Sequence, residues 1–138
     1  MQIRSLLIAA AALCAAAAHG DDGLPPLDCA NPQNTYEIGQ CASQDGEAAE
    51  AALNQVYGQL MAVLAPEAQK PLRDAQRLWL RLRNADCALE GTGAAGGTLH
   101  SVIVRQCDTA MARQRAETLR RWLDCQNEEG NPACPAFK

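Results

Sequence analysis

The sequence has few of the residues that most enzyme sites require. It contains two histidines among 138 residues, and of these only His100 lies beyond residue 20. A Ser–His–Asp triad or a histidine-activated cysteine therefore has little to build on. No two cysteines have the Cys-x-x-Cys spacing, which argues against zinc. We expect no enzyme, no metal and no cofactor, although the many carboxylates leave a paired-carboxylate hydrolase open.

Large apolar side chains are also scarce, since aromatic residues make up only 4% of the chain. A small domain with so few of them needs another source of stability, and cysteine is the obvious one. Seven cysteines occur, and all except Cys14 follow residue 20. The six cysteines after residue 20 are an even number, which in an exported chain indicates a disulfide framework with several possible pairings. The nearest-neighbour pairing joins Cys29 to Cys41, Cys87 to Cys107, and Cys125 to Cys134.

The amino terminus has the parts of a secretory signal. Arg4 supplies a positive charge, the segment Leu6–Ala18 is unbroken apolar sequence, and Ala18-His19-Gly20 gives a small-x-small end. The apolar run is shorter than the ~20 residues that span a bilayer. We therefore predict a signal peptide over residues 1–20, cleaved between Ala18 and Gly20. The mature chain is expected in the periplasm or secreted, with no stable membrane span.

Cys14 lies midway through this apolar run and follows Leu13. A bacterial lipoprotein signal normally has a small residue at that place, so lipid anchoring at Cys14 is not expected. Removing residues 1–20 takes away Arg4, one of 12 basic residues, and leaves all 16 acidic ones, so the net charge becomes −5. This charge disfavours nucleic-acid binding and favours a cationic protein partner.

The spacing of apolar residues predicts helices and no strand. Residues 21–33 form an extended leader, and a short helical turn covers Thr35–Cys41. Ser43 or Asp45 is expected to cap a first long helix over Glu47–Leu64. Its apolar residues recur at spacings of three and four: Ala49, Leu53, Val56, Tyr57, Leu60 and Leu64.

Two further helices complete the prediction. The second covers Pro71–Leu89 with Pro71 in its first turn, and a mobile glycine-rich loop over Gly91–Gly97 follows it. The third covers Thr98–Asp124, and residues 126–138 form a polar tail. The inner residues of the second helix are expected to be Leu72, Ala75, Trp79, Leu82 and Cys87. Those of the third are Leu99, Val102, Ile103, Cys107, Ala110, Met111, Leu119, Trp122 and Leu123, with Gln114 and Arg115 interrupting the stripe.

The predicted fold is therefore all-α, a small disulfide-bonded antiparallel bundle of three main helices with a short N-terminal helical turn. The helical domain covers residues 34–125.

One set of residues within these helices is more specific. Gln76, Trp79, Arg83 and Cys87 are separated by gaps of three, four and four, which puts them on one helical face. The other members of the set are Leu53, Asn54, Tyr57 and Arg115. With these residues the chain resembles the lysozyme inhibitor LprI family over about residues 29–123. The resemblance implies an α-helical, disulfide-bonded, exported domain that inhibits lysozyme by binding, without a cofactor.

These family residues are expected to be structural, with Trp79 filling the core and Cys87 anchoring the helix end. Gln76 and Arg83 are expected to hydrogen-bond to Asn54, to Tyr57 or to backbone groups.

Two functional hypotheses follow. The first is a periplasmic protein that occludes the cleft of a lysozyme-type glycosidase. Its candidate partner-binding residues lie in and beside the glycine loop: Glu90, Gly91, Gly93 and Gly96. The second is a structural or partner-binding module of the cell envelope, such as a toxin-immunity protein, with no effect on lysozyme.

Overall fold

The protein is described here by a computed structural model that covers residues 27–128 and 130–138. The predicted signal peptide, Cys14 and the leader before residue 27 lie outside the described residues. The described part contains three long helices: α1 (Thr35–Val63), α2 (Pro66–Gly91) and α3 (His100–Asp124). Short 3-10 turns cover Thr92–Ala94 and Cys125–Asn127, and no strand occurs in this part of the chain. The all-α prediction is confirmed.

The first helix is continuous, so the predicted break between a turn at Thr35–Cys41 and a helix from Glu47 is wrong. Asn34 caps it, because its side-chain oxygen accepts a hydrogen bond of 2.9 Å from the backbone N–H of Glu37. The Glu37 carboxylate accepts one of 2.6 Å from the N–H of Gln33. This arrangement is a variant of the capping box, in which the Glu37 carboxylate accepts from the residue before the cap, and it starts the helix well before Ser43 and Asp45.

Close packing against α3 carries α1 through the region where we predicted its start. Gly46 is buried, and a Cβ atom there would lie 2.8 Å from Cδ of Arg105 and 3.1 Å from Oγ1 of Thr109. The side chain of Asp45 forms an ion pair with Arg113. Tertiary contacts therefore stabilise a segment whose local sequence resembles a helix start.

The second helix begins at Pro66, directly after the two-residue connection Leu64–Ala65. Pro66 lies in the first turn, where its missing N–H leaves no bond unmade. The prediction that Pro71 opens this helix is wrong, because Pro71 lies inside it. Its missing N–H would have bonded to the carbonyl of Glu67, and both residues are exposed, so water can hydrate that carbonyl.

The helices run up, down and up. The contacts between α1 and α3 show how the two helices are oriented. Gly39 is near Val102, and Gly46, further along α1, is near Thr109, further along α3, so α1 and α3 are parallel. In α2 the order is reversed, because Cys87 bonds to Cys107 and Gln76 contacts Arg115 further along α3. Buried side chains from all three helices form the core: Ala49, Leu53, Val56, Leu60, Leu64, Leu72, Ala112, Ala116 and Leu119.

Several residues expected in the core are exposed. Leu82 is 55% exposed and Leu99 is 45% exposed, and Ala110 also faces solvent. The prediction failed for Leu82 because α2 has apolar residues on two opposite sides. Periodicity identifies an apolar side but does not show which of two the bundle covers.

The carboxyl-terminal tail packs on the α1–α2 corner. Ala65 N–H donates to the carbonyl of Ala136 at 2.9 Å, and Lys138 N–H donates to the carbonyl of Val63 at 3.0 Å. Phe137 forms an isolated antiparallel bridge with Leu64, and its half-buried ring packs against the core. The tail thus closes one end of the bundle.

Three cysteine pairs lie at bonding distance. Their Cα atoms are 5.5 Å apart in Cys29–Cys41, 5.5 Å in Cys87–Cys107 and 5.6 Å in Cys125–Cys134. The first joins the segment before α1 to α1, the second joins α2 to α3, and the third joins the end of α3 to the tail. None of the helices in the described ranges is both long enough and apolar enough to cross a membrane.

Candidate functional site

Two arginines and two tryptophans meet between α2 and α3, and we call them the arginine–tryptophan cluster: Trp79, Arg83, Arg115 and Trp122. The guanidinium carbon of Arg83 lies 5.0 Å from the centre of the Trp79 ring. That of Arg115 lies 6.0 Å from the Trp79 ring and 5.4 Å from the Trp122 ring. These are cation–π distances, so the cluster stabilises the contact between the two helices.

Arg83 connects all three helices. Its side chain is 13% exposed, and it forms an ion pair with Glu50 of α1. Its Nε atom lies 3.5 Å from a carboxylate oxygen of Asp108 on α3. One guanidinium group thus balances two carboxylates that would otherwise repel each other in a partly desolvated place.

Arg115 is half-buried between α2 and α3, although the sequence indicated an interruption of the apolar stripe. Its Nε atom donates a hydrogen bond of 3.0 Å to the side-chain oxygen of Gln76. Burial lowers the pKa of Arg115 below its ordinary value, because desolvation disfavours the charged form. The stem and the guanidinium plane of arginine pack well on aromatic rings, which explains a cation at this position.

The prediction that Gln76 and Arg83 bond to Asn54 or Tyr57 was therefore wrong. Gln76 accepts a hydrogen bond from Arg115, and Arg83 donates one to Glu50, while the Nε atom of Arg83 faces Asp108 without a hydrogen bond. Glu50 and Asp108 were missed, since a carboxylate on a helix of an acidic protein is usually solvated. The signal that could have identified Glu50 is its position four residues before Asn54, on the side of α1 that faces α2.

Asn54 and Tyr57 line an open groove of about 230 Å³ between α1 and α2. Asn54 is exposed and Tyr57 is half-buried, and neither side chain hydrogen-bonds to another described residue. Leu53, also in the resemblance, is 1% exposed and belongs to the core. Trp79 is half-buried and Cys87 is 1% exposed.

The glycine loop divides into a buried base and an exposed tip. Gly91 is the last residue of α2 and is buried, and a Cβ atom there would lie 2.7 Å from Cγ2 of Val104 and 2.9 Å from Cε1 of His100. Its carbonyl lies 2.9 Å from Nδ1 of His100. Gly91 therefore belongs to the contact between α2 and α3 and is not available to a partner.

The remaining candidate residues of the loop are at the surface. Glu90 is exposed, Gly93 faces open space, and Gly96 has a φ of 78°, which favours glycine. Leu89 is 71% exposed and adds an apolar side chain that the sequence analysis had not assigned to the surface. The tip therefore combines a carboxylate, small residues and an exposed leucine.

The described residues offer little for catalysis or metal binding. His100 is held at the base of the loop by Gly91. The one group of ligand-type side chains found in them, Cys125, Glu128 and Cys134, contains two cysteines bonded to each other, so it supplies no thiolate.

Comparisons with known proteins agree with this description. The family model described as Lysozyme inhibitor LprI matches residues 28–119, from just before Cys29 to the end of the α3 core. An uncharacterized protein of Rhizobium meliloti (strain 1021) is 28% identical over 113 residues, which cover 72% of this chain and 81% of the relative. No solved structure matches the chain.

Proposed function

The chain belongs to the lysozyme inhibitor LprI family, and from this membership we propose that it is an exported protein that inhibits a lysozyme-type glycosidase by non-covalent binding. The match over residues 28–119 carries the proposal, because it includes α1, α2 and most of α3. The mechanism we propose is occlusion: the protein covers the glycosidase cleft and keeps the polysaccharide out.

The framework supports a mechanism of this kind because it holds an exposed end of the bundle in place. The Cys87–Cys107 disulfide lies at the base of the glycine loop, and the contact of His100 with Gly91 fixes the same point. A surface that is ordered before binding loses less conformational entropy when a partner binds. The loop tip, with Glu90, Gly93 and Gly96, is accordingly our candidate for part of the contact.

Charge supports the proposal as well. The chain has a net charge of −4, which becomes −5 once residues 1–20 are removed with Arg4. Lysozymes are often strongly basic, so opposite net charges favour encounter and make association sensitive to salt. Glu90 is exposed and forms no ion pair with any residue in the described ranges, which leaves its carboxylate available to a basic rim.

The test is a titration of the oxidised mature chain, residues 21–138, into an animal-type lysozyme and a bacterial lysozyme. We expect dose-dependent inhibition of peptidoglycan lysis, weaker at high salt. Reduced and alkylated protein is the control and should not inhibit, because the framework that presents the surface is lost. No inhibition of either enzyme at micromolar concentration would remove the proposal and favour the module that binds another envelope protein.

The charge contribution is tested by Glu90→Lys. We expect several-fold weaker inhibition, with the difference reduced at high salt. Glu117→Lys is the matched control, because Glu117 is an exposed carboxylate further along α3 and away from the loop. Equal loss in both variants would show that overall charge, and not the position of Glu90, determines inhibition.

A further inference from the structure

The outer face of α2 carries apolar side chains that the bundle does not cover. Leu78 is 58% exposed, Leu82 is 55% exposed and Leu89 is 71% exposed. With the exposed Ala85 they follow spacings of four, three and four, so they lie in one line along the helix. We call this set the outer leucine row: Leu78, Leu82, Ala85 and Leu89.

The fold does not need this row. The buried side of α2 is occupied by Leu72 and Cys87, which are 6% and 1% exposed. By the 3.6-residue repeat, Leu78 and Ala85 point away from that side. Single exposed leucines are common on protein surfaces, but a row at these spacings matches the anchors of a helix that lies in a partner's groove.

Charged residues border the row on both sides. Arg81 lies three residues after Leu78 and four before Ala85, on one side of the row, and Asp86 lies four residues after Leu82 and three before Leu89, on the other. Arg77 and Glu90 lie further round the helix. Arg81, Asp86 and Glu90 form no ion pair within residues 27–128 and 130–138. Arg77 has a long contact of 3.4 Å to Asp74, whose carboxyl pKa is lowered mainly by its hydrogen bond from Lys70.

This pattern of charge restricts the partner. A glycosidase cleft has carboxylates at its centre, which Arg81 beside the row can approach. A basic surface around such a cleft is complementary to Asp86 and Glu90. Arginine is also one of the residues enriched at the energetic centres of protein interfaces.

We propose that the outer leucine row is the surface that enters the glycosidase cleft, with α2 lying along the cleft and Arg81 facing its carboxylates. The inference rests on the proposed inhibition and extends the contact from the loop tip along the helix, since Leu89 and Glu90 belong to both. The partner that covers the row is thus a protein with an open groove lined by carboxylates, and not a second copy of this chain.

The experiment compares wild type with a Leu78→Asp/Leu82→Asp double variant in the lysozyme titration. We expect an increase of about tenfold or more in the inhibitory concentration, since two apolar anchors are removed. Both side chains are largely exposed, so the circular dichroism spectrum and the melting temperature should stay close to wild type. A Leu78→Ser/Leu82→Ser variant, which adds no charge, should weaken inhibition in the same direction even if the double Asp variant misfolds.

Tyr36→Asp is the matched control, because Tyr36 is an apolar residue 74% exposed on α1. It should inhibit like wild type. Arg81→Glu should weaken inhibition more than Arg120→Glu, which changes an exposed arginine near the end of α3.

The outcomes separate the two proposals. If wild type inhibits and the double variants inhibit equally well, the row is not the contact surface and the inhibitory function stands. If wild type does not inhibit, both proposals are wrong. Sedimentation velocity gives a further outcome: a wild-type dimer that the double variant converts to a monomer, with unchanged inhibition, would assign the row to self-association and overturn this inference.

Discussion

The Nε atom of Arg115 on α3 donates a hydrogen bond of 3.0 Å to the side-chain oxygen of Gln76 on α2. The arginine lies between the rings of Trp79 and Trp122, where its charge is partly removed from water. Gln76 therefore satisfies a donor that would otherwise be desolvated without a partner. A polar pair of this kind fixes the rotation of α2 relative to α3 more narrowly than apolar contact does.

Gln76→Ala should lower the free energy of unfolding by about 1 to 2 kcal/mol, because the Nε donor of Arg115 then lacks its acceptor. Urea denaturation followed by circular dichroism measures this change. Gln55→Ala is the control, since Gln55 is exposed on α1 and should change stability by less than about 0.5 kcal/mol. Equal effects of the two substitutions would contradict a specific role for the Gln76–Arg115 bond.

Arg83→Ala should lower the free energy of unfolding by about 2 to 3 kcal/mol, because it leaves Glu50 and Asp108 without their shared cation. This is less than for a fully buried pair, since the two carboxylates are 36% and 27% exposed. Arg77→Ala is the comparison: that side chain is 71% exposed, and its ion pair with Asp74 lies at the surface, so its loss should hardly change the free energy of unfolding. Urea denaturation compares the two variants. Similar losses of unfolding free energy in Arg83→Ala and Arg77→Ala would contradict the view that burial makes the Arg83 ion pairs the stronger ones.

Gly91→Ala should destabilise the protein by about 1 to 3 kcal/mol, because the added Cβ would overlap with Val104 and His100. Gly93→Ala should have a small effect, since nothing lies near the position of its Cβ atom. Thermal unfolding of the two variants measures the difference. If Gly93→Ala were the more harmful substitution, the assignment of Gly91 to the helix contact and of Gly93 to the surface would be reversed.

The three disulfides should be reduced in a defined order. Cys87 and Cys107 are 1% and 9% exposed, whereas Cys29 is exposed and Cys125 and Cys134 are half-buried. Exchange requires a thiolate to reach the disulfide, so Cys87–Cys107 should react last under mild reductant. Alkylation at timed intervals with mass mapping measures the order. Mapping without reductant should show no free thiol in the mature chain, and early labelling of Cys87 would contradict the described packing.

Phe137→Ala should lower the free energy of unfolding by about 1 to 2 kcal/mol, because its half-buried ring packs against the core at the α1–α2 corner. Lys138→Ala is the control: its side chain donates at 2.8 Å to the carbonyl of Ala62, but the residue is exposed and its backbone bond remains. Chemical denaturation again measures both. A loss for Lys138→Ala as large as for Phe137→Ala would mean that hydrogen bonds, and not the ring, attach the tail.

Sequence periodicity predicted the helical architecture because α1 has one apolar side, and Leu53, Val56, Leu60 and Leu64 are all buried there. It failed for α2, whose leucines occur on two sides. Choosing between the sides requires knowledge of where α1 and α3 pack, which no local pattern contains. The covered side is marked by Trp79, Arg83 and Cys87, and the outer leucine row faces away from it.

The polar contacts inside the bundle were less predictable than the core. Arg115 was predicted to interrupt the apolar stripe of the third helix, because charged side chains are rarely buried. Its burial depends on Trp122, seven residues later in the sequence, and on Trp79 from another helix. Helix boundaries differed for a similar reason: at Gly46 the packing of Arg105 and Thr109 continues a helix that local propensity would have started later.

The three disulfides are also ordered along the chain, with separations of 12, 20 and 9 residues and no overlap between them. A polypeptide emerges amino end first during synthesis, so each of these pairs is complete before the first cysteine of the next pair appears. Among the six cysteines that follow residue 20, pairing in order of emergence therefore gives this set, with no bond to be broken and remade afterwards. Oxidation that follows this order would need an oxidant but no isomerase.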